Sequence, residues 1–118
     1  MTSLSEMKCV PCRGTEPAMT ESDAYRLMPQ IPEWRMQEVD GEKRIQRVFK
    51  FRNFAEALAF TDRVGAAAEA EDHHPLLITE WGKVTVNWWT HKVHGLHMND
   101  FIMAVRTDEL YSHSSSST

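Results

Sequence analysis

Residues 69–100 read EAEDHHPLLITEWGKVTVNWWTHKVHGLHMND, and the order of elements can be read outward from them. Pro75 ends a helical run and opens an extended one, because its ring removes a backbone donor and biases His74 away from helical backbone. Leu76 to Trp81 and Val84 to Thr90 read as two strands joined by a turn at Gly82-Lys83. In the second strand Val84, Val86 and Trp88 point one way, and Thr85, Asn87, Trp89 and His91 point the other. After a loop at Gly95 the pattern predicts a helix from about Met98 to Leu110, with Phe101, Ile102 and Val105 inward.

Upstream, Asn53 has the form of a helix cap with Glu56 three residues on. Phe54, Ala57, Leu58, Thr61, Val64 and Ala68 fall on one arc of that helix, which should face the sheet. Glu69, Glu71 and Asp72 sit at its C-terminal end, where acids oppose the helix dipole, so helix stability does not account for them. Asp40-Gly41 between Trp34 and Phe51 is a hairpin signal, with Ile45, Phe49 and Phe51 on one face of the second strand and Arg44, Gln46 and Lys50 on the other. Thr20 to Asp23 forms a capping box for a short helix through Leu27 and Met28, stopped by Pro29 and Pro32. Residues 1–19 carry Pro11, Gly14 and Pro17 without periodicity and read as a flexible arm, and the serine-rich residues 112–118 as a disordered tail. The order is α-β-β-α-β-β-α over residues 20–111. This is an α+β, two-layer domain, a four-stranded antiparallel sheet with helices on one face.

The chain of 118 residues is long enough for one self-supporting core. A net charge of −4 gives no electrostatic case for nucleic acid or an anionic membrane as partner. No apolar run approaches the roughly 20 residues that span a bilayer, and the N-terminus lacks the basic-then-apolar plan of a signal peptide. The expected location is cytoplasmic. Cys9 and Cys12 form a C-x-x-C pair, but a zinc site would need two more ligands and a redox motif belongs between a strand and a helix. Neither cysteine receives a role.

Five of the six histidines lie in the opening stretch: His73, His74, His91, His94 and His97. The adjacent pair His73-His74 sits at a stiff corner where a helix gives way to a strand, a good place for catalytic groups. The spacing of His91, His94 and His97 matches no known zinc motif such as H-E-x-x-H, so no metal is expected. The chain also lacks a G-x-S-x-G elbow, a phosphate loop and a dinucleotide fingerprint. Cofactor-free acid–base chemistry is left, and histidine suits it because its ordinary pKa of about 6.5 lets one ring give a proton while another takes one.

Glu69, His73-His74-Pro75, Trp81, His91 and Asp100 stand at the spacing of a known signature, and Trp34, Asp40-Gly41, Phe49-Lys50-Phe51, Asn53-Phe54 and Thr61-Asp62-Arg63-Val64 extend the likeness over residues 20–110. The chain resembles the bacterial type of the pterin-4a-carbinolamine dehydratases, a family also known as the dimerisation cofactor of a hepatocyte homeodomain factor. The resemblance implies dehydration of a 4a-hydroxy-tetrahydropterin to the quinonoid dihydropterin, recycling the cofactor of phenylalanine hydroxylase without a metal or cofactor of its own. It implies His73, His74 and His91 as the catalytic set. Trp34, Pro75, Thr90, Lys92 and Val93 would lie near the substrate, with Asp100 as a tuning acid and Glu69 either a second one or a plain surface acid. For Asp100 a second role competes, that of capping the last helix at its N3 position. His97 stands where relatives often place a serine cap, and it is the poorer cap. The family also implies a homodimer or homotetramer. The alternative function is a protein-binding coregulator acting through dimerisation with a regulatory partner.

Overall fold

Both hairpins form where turn chemistry puts them. β1 (Arg35–Val39) and β2 (Glu42–Lys50) meet through Asp40-Gly41, at φ 53° and 79°. Positive φ at both residues is what a two-residue turn between right-twisted strands requires. β3 (Leu76–Glu80) and β4 (Lys83–Trp88) turn through Trp81-Gly82, one residue earlier than expected, with Glu80 paired to Lys83. β2 pairs with β4, giving one antiparallel sheet in the order β1-β2-β4-β3. α1 (Glu21–Leu27), α2 (Phe54–Ala70) and α3 (Met98–Ser116) complete the α-β-β-α-β-β-α order of an α+β fold. This computed structural model describes residues 4–10 and 17–116, leaving out the side chains of Ser5 and residues 113–116.

Both predicted caps form. Asp23 N–H donates to Thr20 Oγ1 at 3.1 Å, and Glu56 N–H to Asn53 Oδ1 at 2.8 Å. The sheet's inner face carries Ile45, Phe49, Val84, Val86 and Trp88, all buried against α2 and α3. On the opposite face Val48, Leu76 and Ile78 remain more than 40% exposed. Burial of the inner face is the main stabilising term, worth about 25 cal/mol per Å² of apolar surface.

Three further expectations change. Phe54 and Leu58 do not face the sheet; both are 45% exposed, while Phe60 is fully buried. The helix is rotated so that Ala57, Phe60, Val64 and Ala68 form its inner stripe, because the Phe60 ring completes an aromatic cluster with Phe49, Phe51 and Tyr111. The start of the expected flexible arm is packed: Leu4 is 2% exposed in a short 3-10 turn, and Met7 and Cys9 lie against the core. Pro11, Cys12 and Gly14 lie outside the described residues. Finally, α3 continues six residues past Leu110 to Ser116, into the expected tail, since nothing after Leu110 breaks a helix.

In the middle of α3, Asp108 Oδ1 accepts from Trp34 Nε1 at 2.9 Å and Arg47 Nη1 at 2.7 Å. Burial raises the Asp108 carboxyl above its ordinary pKa, against the opposing pull of both donors. Asp108→Ala would leave two donors unpaired and should cost about 2 kcal/mol. A urea titration would read this as a lower midpoint with an unchanged slope, and an unmoved midpoint would contradict it.

Candidate active site

The C-terminus of α2 sets the first histidine. Asp72 takes the left-handed conformation at φ 50°, and His73 N–H donates back to the Ala68 carbonyl at 3.1 Å. This is the six-to-one bond of a Schellman ending, with aspartate in the place glycine usually takes. The turn lays the His73 ring parallel to the Trp88 indole, at 5.5 Å between centroids and an interplanar angle of 10°. His73 Nε2 lies 2.6 Å from Asp100 Oδ1. A carboxylate only accepts, so the hydrogen of this bond sits on Nε2.

Asp100 resolves the choice between cap and orienter by doing both. Oδ1 holds His73, while Oδ2 accepts from His97 N–H at 2.9 Å and Thr90 Oγ1 at 3.0 Å. The carboxylate is fully buried. His97 is nonetheless a working cap, since its Nδ1 accepts from Asn99 N–H at 3.0 Å.

His74 lies on the rim, its Nε2 2.6 Å from Glu69 Oε1, with both side chains more than half exposed. His91 opens a 3-10 turn, His91–Val93, just after β4. Reciprocal backbone bonds between Thr90 and Gly95 pin that turn, at 2.8 and 3.4 Å. A side chain at Gly95 would come within 3.0 Å of Ala18 Cβ, so the close passage of residues 17–19 favours glycine there. The His91 ring meets Trp89 edge-on at 4.7 Å, and the Arg44 guanidinium lies over the same indole at 3.8 Å.

His73, His74 and His91 thus line one cavity of about 450 Å³, together with Thr90 and Lys92. That volume lies within the range of about 300–1,000 Å³ common for small-molecule sites. Glu69 and Asp100 reach it through the histidines they hold. Pro75 is half-buried beside His74, and Val93 is buried behind the His91 turn. Trp34 is placed elsewhere: it is buried against Phe49 and bonded to Asp108, and it does not line this cavity. Its indole fills the core beneath β1 and β2. His94 is exposed, 3.7 Å from Glu42.

Cys9, Val10, Asn99, Glu71, Asp72 and Trp89 also line the cavity without having been expected there. Trp89 was legible in part, since strand alternation already puts it on the side of His91. For Cys9 and Val10 no local pattern existed, because only tertiary contacts fold the segment back. Burial, with Glu71 nearby, pushes the Cys9 thiol up to about 11, so it is a neutral thiol near pH 7. Among the described residues no three His, Cys, Asp or Glu side chains stand close enough to hold a metal ion, and no helix is long and apolar enough to cross a membrane.

Comparisons with known proteins place the chain in a family. Residues 17–110 match the family described as Pterin 4 alpha carbinolamine dehydratase. A protein of Nitrosococcus oceani is 54% identical over 113 residues, covering 96% of this chain and all of that one. One from Chlorobium luteolum is 55% identical, covering 94% and 97%. The names of both assign them provisionally as pterin-4-alpha-carbinolamine dehydratases. A crystal structure from Brucella melitensis, titled a transcriptional coactivator/pterin dehydratase, superposes with a TM-score of 0.71 at 32% identity, covering 80% of this chain and 98% of that one. A pterin dehydratase-like protein described as a RuBisCO assembly factor in the alpha-carboxysome shares the fold alone, at 22% identity and a TM-score of 0.57 over 67% of this chain and 89% of that one. On the family match and the close relatives, this chain belongs to the pterin-4-alpha-carbinolamine dehydratase family.

Proposed function

We propose that the protein dehydrates a 4a-hydroxy-tetrahydropterin to the quinonoid dihydropterin plus water, by histidine acid–base catalysis. The supporting observation is the convergence of His73, His74 and His91, 18 residues apart at the extremes, on one cavity of a size that suits a pterin. In the reaction the C4a–O bond breaks as the leaving hydroxyl takes a proton, and N5 gives up its proton as the C4a=N5 double bond forms. One ring donates and another accepts, so the site returns to its starting protonation once the two exchange with water. His74 and His91, on the open rim, carry the transfers. His73, stacked on Trp88 and tied to Asp100, holds the pterin. The assay is the loss of 4a-hydroxy-tetrahydropterin with and without protein. In this reading the enzyme works in the cytoplasm and recycles the cofactor of phenylalanine hydroxylase.

A second reading, a protein-binding coregulator, draws on the coactivator wording attached to the Brucella structure. It predicts that changes at His74 and His91 leave regulatory binding intact. Self-association belongs to both readings. β3 is an edge strand that exposes Leu76 and Ile78, and Trp81 beyond it is 72% exposed. Such an edge favours pairing with another copy. Sedimentation at micromolar concentration should show a homodimer or homotetramer, and a single monomer boundary would contradict this.

A further inference from the structure

One side of the cavity is built by the N-terminal segment, through Cys9 and Val10. The ends of chains stay ordered only where bonds tie them down, and among the described residues three ties hold this one. Leu4 is buried, with its N–H on Gln30 Oε1 at 3.2 Å. Arg106 joins the segment to the end of α2, Nη1 donating to Glu71 Oε1 at 2.9 Å and Nη2 to the Met7 carbonyl at 3.5 Å. The third tie is Asn99, only 3% exposed. Val10 N–H donates to Asn99 Oδ1 at 3.0 Å, and Asn99 Nδ2 donates to the Val10 carbonyl at 2.6 Å.

The Asn99 amide therefore copies the reciprocal bonds of a paired strand. The Val10 backbone is held on both sides while its side chain stays 57% exposed, an apolar group at the cavity. Asn99 is also the residue before Asp100, which holds His73, so one turn of α3 fixes both a histidine and the facing wall.

We propose that Asn99 is a positioning residue that latches Cys9 and Val10 as a wall of the substrate cavity, setting how tightly the pterin is bound while leaving proton transfer to the histidines. This rests on the dehydratase reading given above. The substrate contact would be the apolar Val10 side chain against the bicyclic ring or its substituent.

The test uses full-length Asn99→Ala and the isosteric Asn99→Asp, which keeps the acceptor and loses the donor. Each is made in a Cys12→Ser background so that Cys9 is the single thiol. Thermal melts establish which variants fold, and Asn99→Asp carries the test if the alanine variant does not. KM should rise about tenfold with kcat within about twofold, the pattern of lost binding that is equal in ground and transition states. Iodoacetamide labelling of Cys9 at pH 8 should speed up about tenfold or more as the wall loosens. An unchanged KM, or a fall in kcat at constant KM, would overturn the proposal. Unchanged labelling in both folded variants would overturn it as well. If the parent protein dehydrates nothing while labelling still accelerates in the variants, the latch stands and the dehydratase reading fails.

Discussion

Alanine at His91 or at His74 should lower kcat for the proposed pterin carbinolamine dehydration by about 10²–10⁴-fold, the usual worth of a positioned acid or base. Both side chains are exposed, so neither change opens a cavity in the core. The His91 ring contacts Trp89 at its edge, and the His74 ring contacts Glu69 on the surface. The melting temperature should stay within a few degrees of the parent's, which separates a chemical loss from a structural one. The double variant should lose little more than the worse single one, because an acid and a base that would serve one dehydration step as a unit are not additive. Glu69→Gln makes a milder change, since it keeps an oxygen on His74 and removes only the charge. Near-parent turnover in both single variants would remove the basis for assigning them the proton transfers.

Loss of Asp100 should be the most damaging change to the fold near the site. Its buried carboxylate satisfies the His73 ring, the Thr90 hydroxyl and the His97 amide at once. Asp100→Ala strips all three partners in a place closed to water, and it should cost about 3 kcal/mol or more in a urea titration. Asp100→Asn separates stability from orientation. Its oxygen can serve Thr90 and His97 while its amide turns a donor toward His73 Nε2. The ring must then carry its hydrogen on Nδ1, a tautomer switch visible in the nitrogen shifts of His73. Asparagine should regain most of the stability and still raise KM. A cost below about 1 kcal/mol for alanine would show that the network does not hold the site.

The two hairpins and the three helices were legible because local chemistry decides them. Asp40-Gly41 supplies two residues that tolerate positive φ, Asn53 and Thr20 supply caps, and Pro75 stops a helix at the site's corner. The catalytic candidates came from the family resemblance, and Asp100 was visible both as cap and as partner of a histidine without the reason these coexist. That reason is atomic: one carboxylate has two oxygens, and the turn after α2 brings His73 to the one that the cap leaves free. The phase of α2 was missed because Phe54 and Leu58 are as apolar as Phe60. Only the ring cluster at Phe49, Phe51 and Tyr111 selects among them. Trp34 was placed near the substrate by family likeness, whereas the Asp108 bond holds its indole in the core. The wall formed by Cys9 and Val10 had no local signal at all, since its partners are 89 and 90 residues away.

The most direct test of the central claim is the decay of freshly generated 4a-hydroxy-tetrahydropterin, followed by absorbance with parent protein and with the His74→Ala/His91→Ala double variant. The account predicts that the parent accelerates dehydration in proportion to its concentration and that the folded double variant falls close to the buffer rate. Decay at the buffer rate with the parent, or equal acceleration by the double variant, would contradict it.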